Sequence, residues 1–177
     1  MRRTMLRRLA AFTLLELITV VVIIAILASM LLGVMASFQQ RADKANCSGN
    51  LKSLYAGSVL YIQEHEHWPQ INGRMIRDNK KEYARQWYAA LEPYSIAPVN
   101  WVCPSVQREF GNPDLKDPDN SRIDYLSTPF DARPMTPYLW PKQPWFVERG
   151  AVHPGGNLII FANGQISTLT EAFPGQP

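Results

Sequence analysis

The hydrophobic pattern of the chain changes sharply near residue 40. From Leu17 to Phe38 the sequence is an unbroken run of 22 uncharged, mostly aliphatic residues. A helix needs about 20 such residues to cross the core of a bilayer. The run also exceeds the ~7–15 residue apolar core of an ordinary secretory signal. The pattern therefore predicts a transmembrane helix at the N-terminal end of the chain.

Beyond residue 40 the same helix is predicted to continue with a single apolar face. Five positions follow one another at spacings of four, three, four and three residues: Cys47, Leu51, Leu54, Ser58 and Tyr61. This spacing is typical of an amphipathic helix with one buried side. The helix is expected to end near His67-Trp68-Pro69, because the residue before a proline avoids helical geometry.

The rest of the chain predicts a small head with short elements and long loops. A short helix is expected over residues 82–91, before Pro93, and a strand over residues 123–128. The proline-rich stretch from Pro129 to Pro144, with Trp140 inside it and Trp145 after it, predicts a loop that wraps over the sheet. Its aromatic side chains suit either the core or a partner surface, where Trp and Tyr are enriched.

A hairpin is the strongest local prediction in the head. Apolar, β-branched runs cover residues 157–161 and 165–170, and Asn163-Gly164 lies between them. This dipeptide favours a two-residue turn, because both positions of that turn need positive φ.

Charge changes the interpretation of the N-terminus more than that of the head. The formal charge is +3, but Arg2, Arg3, Arg7 and Arg8 all precede residue 12. Without them, Lys and Arg fall from 18 to 14 against 15 acidic residues, which leaves about −1. Nucleic acid is therefore not an expected partner. Arginines beside an apolar span instead indicate that this end stays cytoplasmic.

Glu16 is an acidic residue at the start of the apolar run. A carboxylate costs about 2.5–3.5 kcal/mol at the centre of a membrane helix and much less at the headgroup boundary. Near a helix N-terminus it also complements the helix dipole. If the chain were cut before Phe12, the new amine would lie about one turn away from Glu16, or could pair with Glu16 of a neighbouring subunit.

The N-terminal segment resembles the class III signal of type IV pilins and type II secretion pseudopilins. The resemblance covers residues 7–38 and depends on the basic leader, on Phe-Thr-Leu-Leu-Glu-Leu from Phe12, and on the aliphatic run. It implies cleavage between Ala11 and Phe12, methylation of the Phe12 amine, and assembly through the apolar helix with Glu16. Ala11 replaces the usual glycine, and Gly33 stands where many pilins have a helix-bending proline. Glycine weakens a helix by about 1 kcal/mol relative to alanine, so helix flexibility is expected at Gly33.

The resemblance implies an α+β, pilin-like fold, with one long, partly transmembrane helix packed on a small antiparallel sheet with long loops. The predicted divisions are a cleaved leader (1–11), an assembly half (12–38), an amphipathic half (39–66) and an extracytoplasmic head (67–177). The implied function is that of a non-enzymatic subunit of a helical fibre, a pseudopilus serving type II protein secretion. Implied partners are further copies, other pseudopilins, the prepilin peptidase, an inner-membrane platform protein and an assembly ATPase. The implied location is the bacterial inner membrane, with the head periplasmic.

Three other interpretations remain open. The subunit could belong to a type IV pilus for adhesion or DNA uptake, which a basic stripe on the head would favour. It could be an exported enzyme or binding protein on a membrane tether. Finally, Val34-Met35-Ala36 resembles the end of an ordinary signal peptide, and a cut there would release a soluble protein that begins at Ser37.

The chain has two cysteines, Cys47 and Cys103, both beyond the predicted membrane span. An exported head permits a disulfide, and a closed loop of ~57 residues would add about 4 kcal/mol in the chain-entropy model. We expect the bridge; the alternative is two unpaired thiols.

Cys47 also begins a Cys-x-x-Asn-Leu-Lys pattern that is similar to one group of pseudopilins. In that group the chain often ends with a His and an Asp-Gly-His turn, where this chain has His153 and Asn163-Gly164-Gln165.

Other chemistry has weaker support in the sequence. A Cys103–His153 nucleophilic pair lacks a third group to orient it. His65 and His67, beside two glutamates, suit a solvated helix end better than a metal site. Some pseudopilins hold calcium in the head, and an oxygen-rich loop here could supply ligands, although its spacing fits no EF-hand: Asn112, Asp114, Asp117, Asp119, Asn120 and Asp124. No cofactor is expected, with calcium as the alternative.

Overall fold

A computed structural model describes residues 13–111 and 121–175 of the chain. These residues form an α+β structure with an apolar N-terminal helix and a four-stranded antiparallel sheet. The chain separates into two compact units, with the division between Gln39 and Gln40. The predicted leader and cleavage site, including Ala11 and Phe12, lie outside the described residues.

The long helix α1 runs from Leu14 to His65. Its start is a reciprocal cap in which the Thr13 hydroxyl accepts the Glu16 N–H at 3.2 Å and the Glu16 carboxylate accepts the Thr13 N–H at 3.4 Å. Its end is Glu66, whose φ of 61° is incompatible with a further helical turn. The helix therefore stops just before the predicted His67-Trp68-Pro69 boundary.

The N-terminal unit contains the part of α1 that is long and apolar enough to span a membrane. This part runs from Leu14 to Leu31, has a mean hydropathy of 2.8, and has no buried residue. The helix is unbroken at Gly33. The prediction of a helix with membrane-spanning length and composition is thus confirmed for this segment.

In the head, one face of α1 packs into the core. Cys47, Leu51, Leu54 and Ser58 are all fully buried, as the apolar spacing predicts. One turn later, the buried residue is Ile62, whereas Tyr61 is only partly buried. The helix contacts the sheet directly, since the Tyr55 and Trp145 ring centroids are 4.8 Å apart.

The sheet is a simple antiparallel meander in the order β1-β2-β3-β4. Its strands are β1 (Tyr125–Ser127), β2 (Pro144–Glu148), β3 (Leu158–Phe161) and β4 (Ile166–Thr168). Short helices surround it: α2 (Met75–Asp78), α3 (Lys80–Leu91), α4 (Pro104–Phe110) and α5 (Leu169–Ala172). All four residues of β3 are buried, so this strand lies at the centre of the head.

Two predicted elements of the head are present with shifted boundaries. The expected helix begins two residues early, at Lys80, because the Asn79 side chain caps it by accepting the Glu82 N–H. The strand expected over 123–128 is shorter, covering Tyr125–Ser127.

Strand β2 was not predicted, because the prolines around it indicated a loop. Trp145 lies in this strand and is fully buried, whereas Trp140 remains 61% exposed in the preceding loop. The Trp145 ring packs 5.0 Å from Trp68, and its Nε1 donates a 2.8 Å hydrogen bond to the Pro137 carbonyl. The loop therefore supplies a hydrogen-bond partner for a core tryptophan.

The predicted hairpin is present, but the two-residue turn is wrong. The Phe161 N–H donates to Gln165 O and the Gly164 N–H donates to Phe161 O, which defines a three-residue loop over 162–164. Only Gly164 has positive φ, at 75°; Asn163 instead accepts the Gln165 N–H through its side chain. A Cβ at Gly164 would lie 3.3 Å from the Tyr55 ring, so the turn and α1 are in close contact.

Replacing Gly164 with alanine should destabilise the head by about 1–2 kcal/mol, since it adds left-handed backbone strain to a tight contact with Tyr55. The measurement is urea denaturation of the full chain in detergent micelles, followed by tryptophan fluorescence. Gly49→Ala is the matched control, because Gly49 is helical with open space around it. That control should be neutral or stabilising by up to about 1 kcal/mol. Equal losses in both variants would contradict the turn geometry.

Candidate functional site

The first candidate site is the exposed apolar surface of α1. Every leucine, isoleucine and valine from Leu14 to Leu27 is at least 46% exposed, and Phe38 is 62% exposed. These residues point in all directions around the helix, so no described residue of the N-terminal unit covers them. Such a surface requires apolar surroundings, because leaving each large side chain in water costs about 1.5–3 kcal/mol.

Glu16 is an exposed residue in the first turn of this surface. Its Oε2 accepts hydrogen bonds from the Thr13 N–H and hydroxyl. Helix capping therefore accounts for one oxygen of this carboxylate. Its Oε1 has no bond to any residue within the described part of the chain.

The second candidate site is a buried polar cluster in the head, centred on the two cysteines. Cys47, on α1, and Cys103, immediately before α4, form a disulfide with a Cα–Cα distance of 5.4 Å. Both residues are fully buried. The bridge links the long helix to a loop 56 residues later in the chain.

Two further residues reach this disulfide from the sheet. Glu148 is the last residue of β2, and His153 lies in the loop between β2 and β3. The His153 Nε2 is 3.7 Å from Cys103 Sγ and 3.1 Å from Glu148 Oε1. Glu148 also accepts the Leu158 N–H through Oε2 at 3.2 Å, which ties the end of β2 to the start of β3.

Burial controls the protonation of this pair. Desolvation raises the pKa of Glu148 to about 7, with the nearby Asp124 charge adding to the effect and the Leu158 N–H opposing it. Desolvation lowers the pKa of His153. Both shifts disfavour the ionised form. Burial therefore favours the neutral imidazole and the protonated carboxyl, in which Glu148 Oε1 donates its proton to His153 Nε2.

Asp124, the one predicted calcium ligand among the described residues, belongs to the same region. Its Oδ2 accepts the Cys103 N–H at 3.0 Å, and its Oδ1 lies 3.1 Å from the Arg122 Nε. Burial is the main reason that its pKa is raised, opposed by these two partners. The other predicted calcium ligands, Asp114, Asp117 and Asp119, lie outside the described residues.

The remaining sequence candidates do not form an active site among the described residues. Cys103 and His153 are adjacent, but the Cys103 sulfur is bonded to Cys47 and buried, so in this form it is not a thiolate nucleophile. His65 and His67 stack near each other beside Tyr61, and His67 Nδ1 donates to the Trp68 carbonyl. Asn163 and Gly164 form the β3–β4 turn.

Sequence reasoning missed Glu148. Nothing in its spacing relates it to Cys47 or Cys103, since it reaches them only through the pairing of β2 with β3. The only hint is a charged residue at the end of the apolar run Trp145–Val147.

Comparisons with protein-family models, with curated proteins and with solved structures found no match to this chain. The two sites are therefore interpreted from their own geometry.

Replacing Glu148 tests the neutral pair. Glu148→Gln should cost at most about 1 kcal/mol of unfolding free energy, because the amide resembles a protonated carboxyl and keeps both hydrogen bonds. Glu148→Ala should cost about 2–4 kcal/mol, since it leaves His153 and the Leu158 N–H without a partner. Chemical denaturation measures both, with the exposed Glu109→Ala as a control expected within about 0.5 kcal/mol of the parent. A glutamine variant as unstable as the alanine variant would show that the site needs an ionised carboxylate.

Proposed function

We propose that this chain is a structural subunit of a pseudopilus, anchored in the inner membrane and assembled through its N-terminal helix. The observation that carries the proposal is the exposed apolar surface of α1 from Leu14 to Leu31, with Glu16 as its only charge. A helix satisfies its own backbone hydrogen bonds, so this segment is stable in lipid. The same surface can then be covered by the helices of neighbouring copies in a fibre.

Glu16 has a specific role in this proposal. After cleavage before Phe12, the new amine of one subunit pairs with the Glu16 carboxylate of its neighbour. The Thr13 cap engages Oε2, so a pairing through Oε1 is compatible with the cap. Because an unpaired charge in an apolar bundle is strongly disfavoured, the pairing fixes the axial register of the fibre.

Two features favour a head that is exported from the cytoplasm. A disulfide between Cys47 and Cys103 is typical of an oxidising compartment, and the N-terminal arginines favour a cytoplasmic N-terminus. The proposed subunit is thus a single-pass protein of the bacterial inner membrane with a periplasmic head. Its proposed partners are further copies, other pseudopilins, the prepilin peptidase, the platform protein and the assembly ATPase.

A type IV pilus subunit for DNA uptake is the second candidate, and one surface of the head favours it. A cleft of about 250 Å³ is lined by Lys80, Lys81, Arg122 and Arg149, with no carboxylate among its described lining residues. The sequence alone showed no such basic surface. In a strain that lacks the chain, loss of secreted enzymes with normal DNA uptake would favour the pseudopilus; the opposite result would favour the pilus.

A tethered exported enzyme is a weaker candidate, because Cys103 is not a free nucleophile.

The first test is the N-terminus of the protein from its native membrane. Intact mass and N-terminal analysis should show a chain that begins at methylated Phe12. A chain that begins at Ser37 would mean a released soluble protein, and an uncut chain would mean a plain membrane tether. Either result would exclude the fibre subunit.

The second test concerns Glu16. Glu16→Leu should still be inserted and cleaved, but fibre assembly should fall by at least about tenfold, because the Phe12 amine loses its partner. Sheared fibres are quantified by immunoblot against the membrane fraction. Glu109→Leu, an exposed change in the head, is the matched control and should assemble normally. Normal fibre yield from Glu16→Leu would remove the charge-pairing role.

A further inference from the structure

The buried cluster in the head brings together four side chains that can bind metal. Cys47, Cys103, Glu148 and His153 are all buried, and their sulfur, oxygen and nitrogen atoms lie within 4.8 Å of one another. They come from α1, from the residue before α4, from the end of β2 and from the β2–β3 loop. Two thiolates, one imidazole and one carboxylate are ligands that Zn²⁺ accepts in a four-coordinate site.

Two separations within the cluster are close to those of a tetrahedral site. Zinc–ligand bonds of about 2.3 Å to sulfur and about 2.0–2.2 Å to nitrogen and oxygen place a sulfur and a nitrogen about 3.6 Å apart. They place a nitrogen and an oxygen about 3.4 Å apart. The observed distances are 3.7 Å from Cys103 Sγ to His153 Nε2 and 3.1 Å from that nitrogen to Glu148 Oε1. Two edges of the tetrahedron thus already have nearly the required length.

A purely structural explanation accounts for only part of this arrangement. The Glu148–His153 hydrogen bond and the Leu158 N–H hold the β2–β3 loop closed. That role does not require the imidazole to face the sulfur atoms of the bridge, or four potential ligands to converge in a buried site. The disulfide itself explains the cysteines only in the oxidised protein.

We propose that the reduced head binds one Zn²⁺ through Cys47, Cys103, Glu148 and His153, and that the metal and the disulfide are alternative links between α1 and the residues before α4. On reduction the two sulfur atoms separate to non-bonded distance, which is close to the sulfur–sulfur edge of about 3.8 Å in a zinc site. This site uses His153 without the Asn163-Gly164-Gln165 turn. It does not depend on whether the chain assembles into a fibre.

The chemistry of the exchange is balanced. Zinc binding releases one proton from each cysteine thiol and, where Glu148 is protonated, the proton between Glu148 Oε1 and His153 Nε2. A small-molecule disulfide then converts the zinc-bound form to the Cys47–Cys103 bridge: the two cysteine sulfurs lose two electrons in total, and the reagent leaves as two thiolates. Zinc keeps its +2 charge throughout and is released. The oxidised head therefore has no thiolate ligands for the metal.

The test uses the full chain in detergent micelles, purified after reduction and titrated with zinc chloride. Native mass spectrometry should show one zinc per reduced chain and less than about 0.1 per oxidised chain. Cobalt substitution should give a thiolate-to-metal charge-transfer band. Adding glutathione disulfide to the zinc-bound form should release the metal to a chromophoric chelator with simultaneous loss of free thiols.

Matched variants separate the site from incidental binding. His153→Asn should weaken zinc binding by about 100-fold or more, and Glu148→Gln by about tenfold or more. Loss of a residue that only supports a ligand weakens metal binding by about 10–100-fold, and loss of a ligand itself should cost at least as much. His65→Asn removes a histidine at the end of α1, away from the cluster, and should bind zinc like the parent. Equal affinity in His153→Asn and His65→Asn would overturn the proposal.

The fold of the reduced chain is measured alongside binding. If reduced, zinc-free protein has native tryptophan fluorescence but takes up no stoichiometric zinc, the proposal is wrong. If reduction unfolds the head, zinc added during refolding should restore native fluorescence in the parent and in His65→Asn but not in His153→Asn. Failure of zinc to restore the parent would equally overturn the proposal.

Discussion

The packing of one face of α1 against the core of the head is the contact on which the rest of this structure depends. Leu51 and Leu54 are fully buried there, and Tyr55 reaches across to Trp145 of β2 and to the carbonyl of Ala162, the first residue of the β3–β4 turn. The described residues of the head include only 15 strand residues in four short strands, and few-stranded sheets are unstable without a packed face. The helix supplies the surface against which the strands form a core.

Several polar groups are buried at that contact and paired with one another, although the Ser58 hydroxyl has no hydrogen-bond partner among the described residues. The disulfide, the Glu148–His153 pair and the Asp124 contacts with Cys103 and Arg122 meet where α1, the sheet and the start of α4 come together. Burial favours the neutral form of the Glu148–His153 pair, since an ionised carboxyl is costly in a low-dielectric site and the nearby Lys44 charge offsets only part of that cost. This concentration of ligating side chains in a dry site is the basis for the proposed zinc form.

The same helix has two surfaces with different requirements. Its N-terminal half is apolar on every side and has no cover among the described residues, whereas its second half buries one apolar face against the head core. The first pattern requires lipid or neighbouring helices, and the second requires one folded partner. A subunit that moves from a membrane to a fibre while keeping its head folded would need both patterns, which is the physical basis of the proposed pseudopilin role.

The sequence by itself determined the features that depend on local spacing. The apolar run, the buried stripe from Cys47 to Ser58, the end of α1 near His67, helix α3 and the existence of the last hairpin all follow from residues close together in the chain. The tertiary structure alone decided β2, the three-residue form of the turn at Gly164, and the meeting of Glu148 with His153 and the cysteines. These features depend on strand pairing and burial between distant residues. Strand β2 could not be predicted from the sequence because the prolines around it locally favour a loop. In the folded head, the packing of Trp145 into the core overrides that preference.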